Sequence, residues 1–140
     1  MMVSQNYKLG DQVGYLLRLA YQRHTAIFQE IIQEDITPMQ FAALIRIDEA
    51  DECSQNMLGR LSGMDVATIK GVVDRLGQKG LTVSRSDPND KRRTLLTLSI
   101  LGKELIEKIK PSGHEISLET LKPLSKSERK VLIRVLKKIS

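Results

Sequence analysis

Three consecutive cations, Lys91, Arg92 and Arg93, follow a turn-forming cluster, Ser86-Asp87-Pro88-Asn89-Asp90. Ammonium and guanidinium groups gathered at a tight turn carry the chemistry that binds phosphate oxygens, with fixed positive charge and several N–H donors in a small volume. Asp90 stands two residues before Arg92, a distance at which a carboxylate orients a guanidinium, so that the arginine reaches a narrow groove already aimed. A second set lies upstream: Thr68, Lys70 and Arg75, a hydroxyl and two cations able to bond base edges as well as phosphates. Arg85 lies between the two sets. Either set alone reads equally as a solvated surface with balanced charge; it is the pairing of the two that points to duplex DNA.

Such groups need a helix and a hairpin to hold them, and the neighbouring residues supply both. Asp65 is an N-cap type. At about 100° per residue, Val66, Ile69, Val73 and Leu76 then fall on one arc, with Val72 at its edge. Ala67, Gly71, Asp74 and Gln78 lie opposite, flanked by Thr68, Lys70 and Arg75. The small residues on that outer face let a helix backbone sink into a groove. Gly80 is a helix stop, and the β-prone run Leu81 to Ser84 leads into the turn cluster. Upstream, Ser54 caps a short segment, Gln55 to Leu61, closed by Gly63. Two short helices across a tight glycine-containing turn, followed by a hairpin with a cationic tip, make a winged helix-turn-helix.

The remainder predicts helix. Asp11 is placed to cap a long one carrying Val13, Leu16, Leu17, Ala20, Ile27, Phe28 and Ile31 at helical spacing. Thr37-Pro38-Met39-Gln40 is a capping box with proline at the first helical position, opening a helix to about Glu49. Ser99 starts a helix expected to kink or break at Pro111, resume near Ile116 and stop before Ser125. Ser125-Lys126-Ser127-Glu128 is a second capping box, and Val131, Leu132, Val135, Leu136 and Ile139 share one side of the last helix. The fold class is therefore mainly α with a small β-wing: a winged helix-turn-helix lobe over 36–98 within one domain of 1–140, and terminal helices over 11–34 and 99–140. The terminal stripes have little compact domain to cover in one subunit, and exposed apolar patches mark interfaces. They are expected to form a two-fold homodimer, which would also set two reading helices about one turn of DNA apart, to match a palindromic operator.

Composition agrees. The chain has 140 residues, 41% of them hydrophobic but only 4% aromatic and none Trp, so its core is aliphatic. The net charge of +5 is unevenly spread. Residues 11–52 hold 3 basic and 8 acidic side chains, residues 53–97 hold 8 and 4, and residues 98–140 hold 10 and 5. The basic excess begins where the DNA-reading unit begins. No apolar run approaches the ~20 residues of a membrane span, and the opening stretch MMVSQNYKLG does not read as an export signal. With a single cysteine, Cys53, there is no intramolecular disulfide framework. A cytoplasmic protein that does not engage membranes is expected.

The same residues resemble the MarR family of transcriptional regulators. The resemblance runs in order through Ile36-Thr37-Pro38-Met39-Gln40-Phe41, Leu58-Gly59-Arg60-Leu61, Ala67-Thr68-Ile69 and Val73-Asp74-Arg75-Leu76. It continues through Lys79-Gly80-Leu81, Asp87-Pro88-Asn89-Asp90-Lys91-Arg92 and Leu98-Ser99-Ile100-Leu101-Gly102. Two positions depart from the family pattern: Gly71, where relatives often carry a basic or polar base-reader, and Ser99, where threonine is usual. The resemblance implies DNA contacts from Ala67, Thr68, Lys70, Gly71, Arg75, Arg85, Asp90, Lys91, Arg92 and Arg93. It also implies a small anionic, often aromatic, effector bound between the dimerisation helices and the DNA-binding lobe. Tyr15-Leu16-Leu17-Arg18 and Tyr21 through Phe28 look like the first helix of relatives that control aromatic-acid catabolism. Arg18, Tyr21, His24 and Phe41 are the residues expected to hold that effector, the cations on a carboxylate and the rings as apolar walls. His24 taken alone is more often a satisfied core or interface histidine than a ligand contact; the resemblance tilts that balance.

The function expected is a repressor released from its operator by a small aromatic carboxylate or its coenzyme-A thioester. Two alternatives stay open: a redox-sensing regulator acting through Cys53, and a constitutive DNA-binding protein without effector. Cys53 follows Asp48, Glu49, Asp51 and Glu52, whose charges should raise its thiol pKa and blunt it. His24 and His114 are far apart with no ligand cluster around them, so no metal is expected. No cofactor is expected either, and no nucleotide loop, nucleophile elbow or HExxH motif suggests an enzyme.

Overall fold

A computed structural model describes residues 6–140; Met1–Gln5, the start of the stretch read as carrying no export signal, lie outside the described residues. The elements, in order, are a 3-10 turn (Leu9–Asp11), α1 (Val13–Ile31), α2 (Pro38–Ala50), β1 (Glu52–Ser54), α3 (Gln55–Leu61), α4 (Val66–Gln78), β2 (Thr82–Asp87), β3 (Asp90–Leu98), α5 (Ile100–Leu121) and α6 (Lys126–Ile139). They divide into two compact units, one of residues up to Ile31 together with His114–Ser140, the other Ile32–Gly113.

Local chemistry sets the helix starts of the second unit. The Thr37 hydroxyl accepts from the Gln40 amide at 3.1 Å while the Gln40 side chain accepts from the Thr37 amide at 3.3 Å. Ser54 caps α3 through the Met57 amide, and Asp65 caps α4 through the Thr68 amide at 2.7 Å. Helix α4 ends in a paired closure: the Gly80 amide bonds the Gly77 carbonyl and the Leu81 amide reaches back to the Leu76 carbonyl. That closure needs a left-handed residue, and Gly80 has φ of 74°, a region closed to most side chains.

The sheet is antiparallel with order β1-β3-β2. Glu52, Cys53 and Ser54 face Thr97, Leu96 and Leu95, and Thr82 through Ser86 face Leu98 through Thr94 before an irregularity at Ser86/Asp87. The strands run further into the expected turn than their sequence suggests, leaving only Pro88 and Asn89 between them and placing Lys91, Arg92 and Arg93 on β3 itself. The core of this unit comes from Ala43, Leu44, Ile47, Leu58, Ile69, Val73, Leu76, Leu96 and Leu98, all buried. Val66, read as part of that apolar arc, is 73% exposed, and Val72 is buried instead. Val66 heads the first turn of α4, where the helix has only just left Asp65 and little packs over it.

In the other unit, the 3-10 turn takes up Asp11, so α1 opens at Val13 and Gln12 supplies the first acceptor, to the Leu16 amide. Asp11 is therefore not its cap. Helix α6 starts with the expected capping box, Ser125 and Glu128. Helix α5, whose residues to Gly113 belong to the second unit and the rest to this one, does not break at Pro111 but runs through it to Leu121. The ring removes one helical N–H, yet Ile106, Ile109 and Ile116 on both sides of it are buried. Burying three such side chains stabilises by more than the roughly 3 kcal/mol an interior proline costs.

Candidate nucleic-acid interface and effector site

The outer face of α4 is bare at its crest. Ala67, Lys70, Gly71, Asp74 and Arg75 are exposed, Thr68 is half-buried, and Ile69, Val72, Val73 and Leu76 hold the opposite side in the core. A Cβ added at Gly71 would meet nothing within 4 Å, so this glycine is not there to make room inside the protein. Lys70 Nζ donates to Asp74 Oδ2 at 3.0 Å. The Thr68 amide holds the Asp65 carboxyl below the usual carboxylate range, keeping the cap charged where the positive end of the helix favours it. At the other end, Lys79 donates to the Gln40 side chain at 2.9 Å and to the Asp35 carbonyl, tying the end of α4 to the start of α2.

The hairpin of β2 and β3 carries the second set of cations, and each of three arginines meets a carboxylate. The Asp90 carboxylate accepts from the Arg92 amide at 3.0 Å and stands 3.5 Å from its Nε, while the Arg92 side chain is 93% exposed. Arg93 lies 3.8 Å from Asp87. Arg85 differs: its guanidinium grips Glu52 at both ends, at 3.0 and 3.1 Å, which ties β2 to the start of β1. Sequence reading grouped Arg85 with the DNA contacts and had no sign of this grip, since Glu52 lies 33 residues away and β1 was not foreseen.

In the unit that holds α1, the expected effector residues Arg18, Tyr21 and His24 share one helix. Tyr21 and His24 rings lie 6.1 Å apart, and the Arg18 guanidinium stands over the Tyr15 ring at 5.6 Å. His24 Nδ1 is 2.9 Å from the Thr120 hydroxyl, which itself donates its one proton to the Ile116 carbonyl at 2.8 Å. That hydroxyl can only accept from His24, so the neutral ring carries its proton on Nδ1 and presents Nε2 as a lone pair. Burial lowers the His24 pKa below its ordinary 6.5. Arg23, which is not among the expected effector residues, donates to the Glu119 and Thr120 carbonyls at the end of α5, a good place for a cation. Phe41 belongs to α2 in the other unit and is half-buried.

Cys53 is buried on β1, and burial first, then the Glu52 charge, push its thiol up. Among the described residues no group of three or more His, Cys, Asp or Glu is placed to hold a metal ion, and no helix is long and apolar enough to cross a membrane.

The order of these elements and the residues on them match known proteins. Residues 36–94 match the MarR family model. The transcriptional repressor NicR of Pseudomonas putida is 36% identical over 134 residues, which cover 95% of this chain and 85% of that one. The chain belongs to the MarR family. A probable transcriptional regulator from Pseudomonas aeruginosa superposes with a TM-score of 0.88 at 44% identity, covering 95% of this chain and all of that one. Bordetella bronchiseptica BpsR, whose DNA binding is regulated by 6-hydroxynicotinic acid, superposes with a TM-score of 0.89 at 36% identity, covering 96% of this chain and 97% of BpsR. This MarR-type chain is accordingly a transcriptional regulator with a DNA-binding winged helix.

Proposed function

We propose that this MarR-type regulator is a cytoplasmic repressor that sits on a palindromic operator as a two-fold dimer and is released by a small aromatic carboxylate or its coenzyme-A thioester. The observation that carries the effector reading is His24, whose Nδ1 is held by Thr120, which leaves Nε2 as the ring nitrogen for a ligand. Tyr21 lies beside it and Arg18 one turn and a half back on the same helix. A carboxylate there would meet the Arg18 guanidinium and draw a proton onto His24 Nε2, which then donates to it, and an aromatic ring would lie against Tyr21. The 36% identity to BpsR, regulated by 6-hydroxynicotinic acid, supports a hydroxylated aromatic or heteroaromatic acid as the first probe.

A ligand releases DNA only if it binds the free geometry more tightly than the DNA-bound one, so operator must weaken ligand binding by the same factor. The experiment is a thermal-shift screen with 6-hydroxynicotinic acid, other aromatic carboxylates and their coenzyme-A thioesters, a binder raising the midpoint. The best ligand is then titrated with and without operator, and again with His24→Ala and Arg18→Ala. Equal affinity with and without operator removes the regulatory claim, and normal affinity in both variants removes the site. Oxidant sensing through Cys53 is the weaker reading, because a buried thiol with a raised pKa forms little thiolate.

A further inference from the structure

We propose that the Lys70–Asp74 couple on α4 is the sequence-reading element of this protein, and that it selects a G·C base pair in a fixed orientation. The proposal rests on α4 being the helix that enters the major groove. Lys70 Nζ and Asp74 Oδ2 are 3.0 Å apart, and their side chains keep 67% and 55% of their surface open to solvent. An exposed pair of this kind adds little to stability, so holding the fold together does not account for it. No side chain at position 71 stands beside it to keep it off a surface.

The couple presents a donor-only group and an acceptor-only group side by side, in fixed order along the helix. In the major groove a G·C pair offers the complement: the guanine O6 acceptor lies next to the cytosine N4 donor, with guanine N7 as a second acceptor on the same side as O6. Lys70 would bond O6 and N7 while Asp74 accepts from N4. The reversed pair, C·G, sets ammonium against the N4 donor and carboxylate against O6, and is rejected at both atoms. T·A offers the couple the same central acceptor and donor, O4 and N6, but the ammonium then loses its second acceptor to the thymine methyl and the carboxylate also faces adenine N7, acceptor against acceptor. A·T sets the ammonium against the adenine N6 donor and the carboxylate against thymine O4. Only G·C satisfies both members of the couple without setting a methyl or a second acceptor against them.

The test is selection of preferred sites from a randomised duplex pool by the full-length protein, its Asp74→Asn and Lys70→Met variants, and Arg92→Ala on the wing. Circular dichroism and thermal midpoints check that each variant is folded. The parent should enrich G·C at one position in each half-site. Asp74→Asn and Lys70→Met should each lower that discrimination roughly tenfold or more, at that position and no other. Asparagine, which both donates and accepts, should shift it toward T·A, whose adenine N6 and N7 face position 74. Arg92→Ala should weaken all sequences alike. A parent selection with no such G·C position, or both α4 variants keeping the parental preference, overturns the inference. If Arg92→Ala still weakens binding in that case, the interface reading stands without it. If none of the three variants alters binding to any duplex, the interface reading itself falls.

Discussion

Gly71 and His24 show how single side chains, or the lack of one, divide the work of this protein. Because a Cβ at position 71 meets nothing within 4 Å, Gly71→Ala should stabilise the free protein by about 0.5–1 kcal/mol, alanine being the better helix residue. The same methyl would stand between the helix backbone and the floor of the groove, so operator affinity should fall. Chemical denaturation and gel-shift titration on one preparation check both halves; a variant that gains stability and keeps its affinity would show that the crest does not approach DNA. His24 gives a prediction in pH. Its folded pKa lies below 6.5, so as pH falls the unfolded chain takes up the proton first and stability is lost from about 6.5 downward until the folded ring also titrates. The parent should therefore lose more of its thermal midpoint between pH 7.5 and pH 5.5 than His24→Gln does. Equal losses would mean that the ring is not desolvated in the folded state.

At the level of elements, the hairpin base and α5 are locked together more tightly than their exposure suggests. The Ser99 hydroxyl donates to the Gly80 carbonyl at 2.6 Å and accepts from the Gly102 amide at 3.0 Å. A Cβ on Gly102 would lie 2.1 Å from the Leu81 carbonyl oxygen, a backbone atom that cannot swing aside. Gly102→Ala should therefore destabilise by roughly 1–3 kcal/mol, and a denaturation midpoint within error of the parent would contradict that packing. Helices were the legible part of this chain, because Thr37/Gln40, Ser54, Asp65 and Ser125/Glu128 announce their starts within four residues. The crest of α4 was legible for the same reason, since a period of 3.6 shows in a short window. What escaped depended on distant partners. Strand β1 is three residues long and exists only by pairing with Leu95–Thr97. The Arg85–Glu52 grip and the His24–Thr120 bond span 33 and 96 residues. Pro111 misled in the opposite sense, a local breaker overruled by burial on both sides.

For the whole molecule, the large apolar side chains left in solvent point to assembly. Leu16 and Leu17 of α1 are 47% and 42% exposed, and Val131, Val135 and Ile139 of α6 are 48%, 37% and 66% exposed at four-residue spacing. Replacing Val131 and Val135 together by Asp should convert the expected dimer to monomer in sedimentation and lower operator affinity, since the two half-sites would then be bound separately. A variant that still sediments as the parent does would move the interface off α6. One consequence of the hairpin geometry concerns ionic strength. Arg92 and Arg93 each begin with an acidic partner, Asp90 and Asp87, so phosphate would replace a carboxylate rather than water. Each freed carboxylate then holds back a cation that binding would otherwise release to solution. Affinity should fall less steeply with added salt than the roughly 0.9 log units per neutralised phosphate expected of unpaired cations. Asp90→Asn should steepen that slope by up to about one. The carboxylates of this surface would thus make a basic protein comparatively tolerant of the salt around it.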